Sequence, residues 1–430
     1  MALASIPTAS ASNFDGKNYT RILVIIFSLF TLWALAGKLN DILIPHLKKA
    51  LTLTDFQSSL IQTAFFGGYF VAALPAGWLL RKIGYKNGII CALAVAAAGA
   101  ALFYPAAETR YYGLFLFALF VMACGFATLE VAANPYVAVL GDPKSASFRL
   151  NLAQGFNSLA ATVTPFFGAQ LILSGIEKSD AELAMMSIAE MDAYKIFEAD
   201  RVKLPYIFLA ALFLFIALLV FLSKLPEIKD EEQTKEVDNT HKNKPIYKRT
   251  NLMLGVAGIF FYVGAQEGIA AFIIRFMQYL QIPGVTERSA ANYIVAYWFT
   301  FMIGRFIGAW LLRYVNEYRL LAIFSGICVA LALCACVFTG LPAVYCVVAI
   351  GFFNSIQFPT IFTIALKNLG ADTKMGASLL VMAICGAAIM PAVMGYLSTI
   401  YNIQVAFIIP VICYLYVVFF SVYGKRLATT

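Results

Sequence analysis

The sequence predicts an all-α integral membrane fold of twelve transmembrane helices in two six-helix halves. Three observations lead there. Of the 430 residues, 61% are hydrophobic and only 13% charged, with a mean hydropathy of +0.81. Soluble domains run nearer half apolar and a quarter charged, so the solvent for this much apolar side chain is lipid. The apolar residues gather into runs of about 20, the length that crosses a bilayer as a helix. One polar segment of mixed charge, 224–250, divides those runs into two sets of six.

Taken in order, the runs cover 22–44, 58–80, 87–104, 111–140, 150–173 and 204–223, then 251–277, 290–313, 319–338, 342–368, 375–399 and 404–424. Helices are the element because they satisfy their own backbone groups within such runs, and the period-2 alternation of a barrel is missing. The polar first 20 residues lack the short apolar core of a leader, so the first run reads as an anchor and not a removed leader. The organisation that follows is a cytoplasmic N-terminal segment (1–21), a six-helix bundle (22–223), a cytoplasmic central loop (224–250) and a second six-helix bundle (251–430).

Lys and Arg set the orientation. With both termini inside, 20 of the 31 fall on the cytoplasmic side, including Arg81, Lys82 and Lys86, seven residues of 224–250, and Arg313 and Arg319. The outer loops hold eight, four of them in 174–203, where acids outnumber them. The positive-inside rule therefore places both termini in the cytoplasm. Lys38, Arg275 and Arg305 lie within or at the edge of spans. The basic residues are scattered over short loops, which speaks for lipid contact and against nucleic acid as a partner. The eight cysteines all fall in apolar helices and read as small buried hydrophobes, and none makes a metal spacing with His46 or His241. No Walker loop and no G-x-S-x-G occurs, so no catalytic residue, metal or organic cofactor is expected.

The two halves echo each other. Trp78-Leu-Leu-Arg81 ends the second helix and Trp310-Leu-Leu-Arg313 the eighth. Leu140-Gly141 after the fourth helix matches Leu369-Gly370 after the tenth, and Pro165 corresponds loosely to Pro391. Duplicated six-helix halves with a site between them near the midplane is the major facilitator arrangement.

Charges at bilayer depth usually face the protein interior and mark ion or substrate routes. Phe126-Ala-Thr-Leu-Glu130-Val-Ala-Ala-Asn134-Pro135 sets a carboxylate, an amide and a proline in mid-span, and Asp41 ends the first helix. Two such acids on different helices suggest proton-coupled transport. A sugar needs convergent hydrogen-bond partners and an apolar surface for its C–H face, and amides suit hydroxyls because they both donate and accept. Asn151, Gln154 and Asn157 recur on one broad face of the fifth helix; Asn354 and Gln357 are three apart in the tenth; Tyr262 and Gln266 are four apart in the seventh. Each amide also has a structural reading, as a hydrogen-bonding group between packed membrane helices. Trp33 is the aromatic platform near the middle of the first helix.

Longer stretches carry a family resemblance. Leu39-Asn40-Asp41-Ile-Leu-Ile-Pro45, Leu129-Glu130-Val-Ala-Ala-Asn134-Pro135, Phe148-Arg149-Leu-Asn151-Leu-Ala-Gln154-Gly-Phe-Asn157-Ser158, Tyr262-Val-Gly-Ala-Gln266 and Ser355-Ile-Gln357-Phe-Pro359-Thr-Ile-Phe-Thr363 resemble the fucose-galactose-glucose:proton symporter family of the major facilitator superfamily. That resemblance implies a bacterial inner-membrane importer of a monosaccharide, working as a monomer with protons as the coupling ion. Asp41 and Glu130 match the family's coupling acids, and Trp33, Asn40, Glu130, Gln154, Asn157, Tyr262, Gln266, Glu267, Asn354 and Gln357 are the expected sugar-site residues.

The chain also departs from the family. Fucose members carry a tryptophan just after the Tyr262–Gln266 run, where this chain has Gly268-Ile-Ala-Ala-Phe272. Glu267 replaces a neutral residue, Gly37-Lys38 replaces an Asn pair, and glucose/galactose members tend to carry an amide where this chain has Glu130. L-fucose is therefore the expected sugar and glucose or galactose the alternative. The role of Glu267 stays open between sugar ligand, coupling site and packing partner. Desolvation favours the neutral form of Glu130, which can donate to a sugar hydroxyl, so occlusion favours the state carrying both proton and sugar. Pro135, Pro165, Pro359 and Pro391 lie inside helices, as fixed bends or as hinges for rocking. Arg81 stands where major facilitators carry an aspartate in the loop after the second helix, which puts the usual charge relay in doubt. A sugar sensor without flux and a drug efflux pump are the remaining alternatives; short termini and amide-rich helices disfavour them.

Overall fold

A computed structural model describes residues 22, 24–39, 51, 53–140, 142–172, 185–223, 225, 245–282 and 287–429. Every regular element among them is helical. The crossings are α1 (Val24–Leu39), α2 and α3 (55–83 and 85–101, the second extended by Phe103–Thr109), α4 (Tyr112–Val139), α5 (Ala146–Ile172) and α6 (Lys203–Leu222). The second half contributes α7 (Thr250–Tyr279), α8 (Glu287–Leu311), α9 (Glu317–Val337), α10 (Leu341–Ala365), α11 (Gly370–Ile400) and α12 (Ile403–Gly424). Among the described residues nine helices are long and apolar enough to cross a membrane, and one of these, Leu60–Thr109, holds two predicted crossings. α1 is shorter, and α5 falls outside because its amides dilute an otherwise apolar helix.

Local sequence explains the breaks. Thr54 caps α2 by accepting from the Gln57 N–H at 3.2 Å, while the Thr54 N–H donates back to Gln57 Oε1 at 2.9 Å, a reciprocal capping box. α2 turns into α3 at Gly84, whose φ of 77° is available to glycine without the penalty a side chain would bring. α10 pauses at Ser355 and Ile356, between Leu341–Asn354 and Gln357–Ala365. Pro359 is the reason: it has no N–H to give the carbonyl four residues earlier, that of Ser355. In α11 the irregular turn falls at Ala383–Cys385, upstream of Pro391, which sits inside a continuous Gly386–Ile400 helix.

The duplication read from the sequence reappears in the packing. The halves meet where α5 packs on α8 and, as the counterpart, where α2 packs on α11. Within the second half α8 and α10 approach backbone to backbone. A Cβ on Gly304 would lie 2.3 Å from the Phe352 carbonyl oxygen, and one on Gly351 would lie 2.4 Å from that of Tyr297. That approach brings Arg305 of α8 against the break in α10.

On the face bearing Lys82, Lys144, Arg319 and Lys374, the basic face, the two halves are sealed together. The repeated Trp-Leu-Leu-Arg motifs end here, and each arginine reaches into the opposite half. Arg81 pairs with Asp372 at 2.7 Å, with Arg249 adding a second contact to the same carboxylate at 3.4 Å. The Arg313 guanidinium lies 4.2 Å from the centre of the Phe148 ring, and Lys374 lies 5.0 Å from that of Tyr85. The aspartate missing from the loop position at Arg81 is thus replaced by one on the other half. Between these points Ser147 donates to Glu317, which also pairs with Lys367. Ser147 and Thr363 hydroxyls share a hydrogen bond of 2.6 Å, and Asn151 donates to Thr360 at 3.2 Å.

Candidate functional site

Beyond the seal, between α1 and α5 on one side and α7 and α8 on the other, lies a cavity of about 110 Å³. A water needs roughly 10–15 Å³ on the same measure, so there is room for several. Lys38, Asn157, Ser158, Ala161, Thr162, Gln266, Glu267, Trp298, Phe301 and Arg305 line it. Seven of these ten are polar or charged, an unusual wall at membrane depth, where such groups need a reason to be there. Trp298 and Phe301 form a T-shaped aromatic pair with centroids 5.5 Å apart, and Lys38 sits 4.5 Å above the Trp298 ring.

Arg305 is the hub of the inner wall. It is buried, and its Nη1 donates to the Gln154 carbonyl at 2.6 Å and to Gln154 Oε1 at 3.1 Å, across the boundary between halves. Its Nε donates at 3.1 Å to the Ser355 carbonyl, the group that Pro359 deprives of a helical partner. A proline in α10 therefore helps hold a guanidinium in α8, which in turn grips α5. Gln154 passes the link on by donating to Asn134 Oδ1 at 3.3 Å.

One turn before Asn134 on the same helix is Glu130, 4% exposed. The Tyr69 hydroxyl hydrogen-bonds its carboxyl, and Trp33 Nε1 donates to the Tyr69 oxygen at 3.2 Å. Arg305 lies within electrostatic reach. Among the described residues Glu130 Oε2 and Asn134 Nδ2 are buried with no protein partner. Leaving a buried polar atom unsatisfied costs roughly 1–3 kcal/mol, so each such group calls for an explanation.

The structure sorts the sequence-predicted residues into three groups. Asn157, Gln266 and Glu267 line the cavity. Trp33, Glu130, Gln154 and Tyr262 do not line it: Trp33 donates to Tyr69, Gln154 accepts from Arg305, and the Tyr262 hydroxyl hydrogen-bonds Gln266 Oε1 at 2.5 Å. Asn157 also donates to the Phe30 carbonyl of α1 at 3.1 Å. Asn354 and Gln357 are not brought to the cavity. Both are fully buried within the second half, where Asn354 donates to the Tyr297 hydroxyl at 3.2 Å and Gln357 Nε2 lies 3.4 Å from Cys328 Sγ. Asn40 and Asp41 lie outside the described residues. Sequence reasoning left out Lys38, Tyr69, Trp298, Phe301 and Arg305. For Lys38 and Arg305 the signal was present, since each is a charge within or at the edge of an apolar run.

This arrangement has known counterparts. Residues 22–383 match the family model of the Major Facilitator Superfamily. The chain belongs to the Major Facilitator Superfamily. Within it, the chain is 42% identical to a glucose/galactose transporter of Brucella abortus, over 98% of this chain and 99% of the relative. It is 40% identical to the L-fucose-proton symporter of Escherichia coli, over the full length of both. The crystal structure of the superfamily transporter FucP in the outward conformation superposes with a TM-score of 0.87 at 41% identity, covering 95% of this chain and 99% of that one. As a superfamily member the chain carries its cavity where the two halves meet, with the seal on the basic face beneath it.

Proposed function

We propose that the chain is a proton-coupled sugar importer of the bacterial inner membrane, with L-fucose as its sugar. The observation that carries this is a polar cavity between the halves, backed by a buried carboxyl, Glu130, with one oxygen that has no protein partner among the described residues. The transport functions of relatives at 40% and 42% identity over nearly the whole chain support the substrate class. The reading includes both termini in the cytoplasm, residues 22–223 and 251–430 as the two rocking bodies, function as a monomer, and transport without catalysis or an organic cofactor. The basic face is then the cytoplasmic face, and a structure sealed there is the outward-facing stage of the cycle.

In this mechanism Glu130 and Asp41 take up the coupling proton, and a protonated Glu130 donates to the sugar. Asn157 presents its amide from α5 and Gln266 faces it from α7, with Gln154 and Tyr262 bracing Arg305 and Gln266. Closure over an ionised, unpaired carboxylate is disfavoured, so the halves rock when proton and sugar are both aboard. The membrane potential adds about 2.3 kcal/mol per charge per 100 mV, enough for one proton to drive substantial accumulation of a neutral sugar.

Glucose or galactose is the second reading, favoured by Glu267, an extra acceptor in the cavity wall. Proteoliposomes under an imposed inward proton gradient, offered labelled L-fucose, galactose and glucose, test both. Gradient-dependent accumulation competed by excess fucose is expected. Hexose uptake that excess fucose leaves untouched would overturn the first choice, and absence of any gradient-driven sugar uptake would overturn the proposal. Asp41→Asn is expected to abolish active uptake; normal sugar-induced alkalinisation by that variant would remove Asp41 from the coupling role.

A further inference from the structure

Glu267 is the acid in the cavity that proton coupling through Glu130 and Asp41 does not use. It lies on α7, half-buried, in a wall shared with Lys38 of α1, Asn157 of α5, and Trp298 and Arg305 of α8. Its neighbour Gln266 is occupied at both ends. Gln266 Oε1 accepts from Tyr262, and Gln266 Nε2 donates to Glu267 Oε1 at 3.2 Å. The Tyr262–Gln266 pair thus acts as a brace that fixes the Glu267 carboxylate against the cavity. Two cations, Lys38 and Arg305, stand in the same wall.

An ionised carboxylate only accepts hydrogen bonds, and its two oxygens can take two hydroxyl donors at once. Sugars offer adjacent hydroxyls that fit such a pair. Trp298 and Phe301 in the same wall supply apolar surface for ring C–H groups, and Lys38 brings a residue of the other half to that wall. A sugar held here touches both halves.

We infer that Glu267 is a specificity-determining residue that selects a sugar by accepting from one or two particular ring or exocyclic hydroxyls, in the cavity it lines with Lys38 and Trp298. This inference rests on the sugar-transport reading and assigns to Glu267 recognition, leaving coupling to Glu130 and Asp41. A site built to hydrogen-bond a hydroxyl rejects the analogue lacking it far more strongly than an apolar pocket rejects a methylene, because the buried partner is left unpaired.

The test is a cycle of variant against analogue. Affinities of the full-length, detergent-purified protein are measured by titration calorimetry for whichever of L-fucose, galactose and glucose it binds, and for each monodeoxy derivative of that sugar. Wild type is compared with Glu267→Gln, and with Glu267→Asp as a second carboxylate variant. The expected result is that Glu267→Gln weakens the parent sugar by about tenfold or more. The derivative lacking the recognised hydroxyl should bind the variant and wild type equally. Glu267→Asp should recover part of the loss, and gradient-driven accumulation of the parent sugar should persist in Glu267→Gln at saturating sugar. Equal weakening of every sugar and derivative would make the role structural and overturn the inference. So would unchanged affinities throughout, or loss of gradient-driven accumulation with affinity intact, which would make Glu267 a coupling residue. If wild type binds none of the sugars, the sugar-transport reading falls first and takes this inference with it.

Discussion

Two polar zones bridge the halves, and they differ in what is left unpaired. In the seal on the basic face most groups find partners within the protein, Arg81 with Asp372, Lys367 and Ser147 with Glu317, Asn151 with Thr360, while among the described residues Asn151 Oδ1 and Arg249 Nε are buried without one. In and behind the cavity some groups are held in place but left incomplete, with Glu130 Oε2 and Asn134 Nδ2 buried and unpartnered among the described residues. The atoms left over in the seal belong to an amide and a guanidinium, neither of which exchanges a proton near neutrality. Behind the cavity one of them is a carboxyl oxygen, which gains when a proton or a hydroxylated guest arrives. The contrast assigns holding to one region and sensing to the other.

The two zones should also differ in their response to pH. Burial works against the Lys367 ammonium, but the Glu317 carboxylate and the neighbouring Tyr318 outweigh it, so its pKa lies above the ordinary value of 10.5. A raised lysine pKa contributes stability that is fully present below the unfolded value and is lost only as pH rises through the folded one. The Lys367–Glu317 contact therefore persists well into alkaline solution. That contact therefore adds no pH dependence near neutrality.

The largest expected effect follows from removing the proton site. Glu130→Gln keeps a group that can donate to sugar but cannot release a proton. It should retain sugar binding and exchange between preloaded vesicles while losing nearly all accumulation driven by a pH gradient. Full gradient-driven accumulation in this variant would erase the distinction between a sensing cavity and a holding seal.

Next is Arg305, which belongs to the cavity wall yet ties the halves together. Arg305→Lys keeps a charge but cannot reproduce the fork that reaches Gln154 and Ser355 simultaneously. Sugar affinity should fall about tenfold, since a buried guanidinium hydrogen bond is worth roughly 1.5–3 kcal/mol. Affinity within about twofold of wild type, by the same calorimetry, would demote Arg305 to packing.

How far the sequence reached depends on the kind of signal. Span number, the two halves and the repeat motifs are long-range patterns of hydropathy, and the structure returns them together with the paired α5–α8 and α2–α11 contacts. Which face of an apolar helix looks into a narrow cavity is a matter of a few degrees of rotation, and residue type does not encode it. Asn354 and Gln357 have the same chemistry as Gln154 and Asn157, yet they turn inward to Tyr297 and Cys328. Trp33 and Trp298 are both near mid-span, but Trp33 spends its N–H on Tyr69 while Trp298 faces the cavity. Arg305 was visible as a charge in a membrane segment; its hold on Ser355 was not, because it depends on a proline four residues further along a different helix.

The smallest effect belongs to the seal, and it separates pairing from mere charge. Arg81 and Asp372 are about two-fifths and one-third exposed, and exposed pairs are worth about 0–1 kcal/mol. Arg81→Asp sets two acids against each other, so it should weaken the seal and raise thiol-reagent labelling of a cysteine placed at Ser147 a few-fold. Asp372→Arg in the wild-type background should do the same, this time by setting a cation against both Arg81 and Arg249. Combining the two substitutions restores an opposite pair between the halves but leaves Arg249 facing a cation, so labelling should return most of the way and stop short of wild type. Sugar affinity measured in the same proteins should move far less than in Arg305→Lys. If the double variant labels as fast as the worse single one, the Arg81–Asp372 contact is incidental, and the seal rests on the Asn151–Thr360 hydrogen bond and the cation–ring contacts instead.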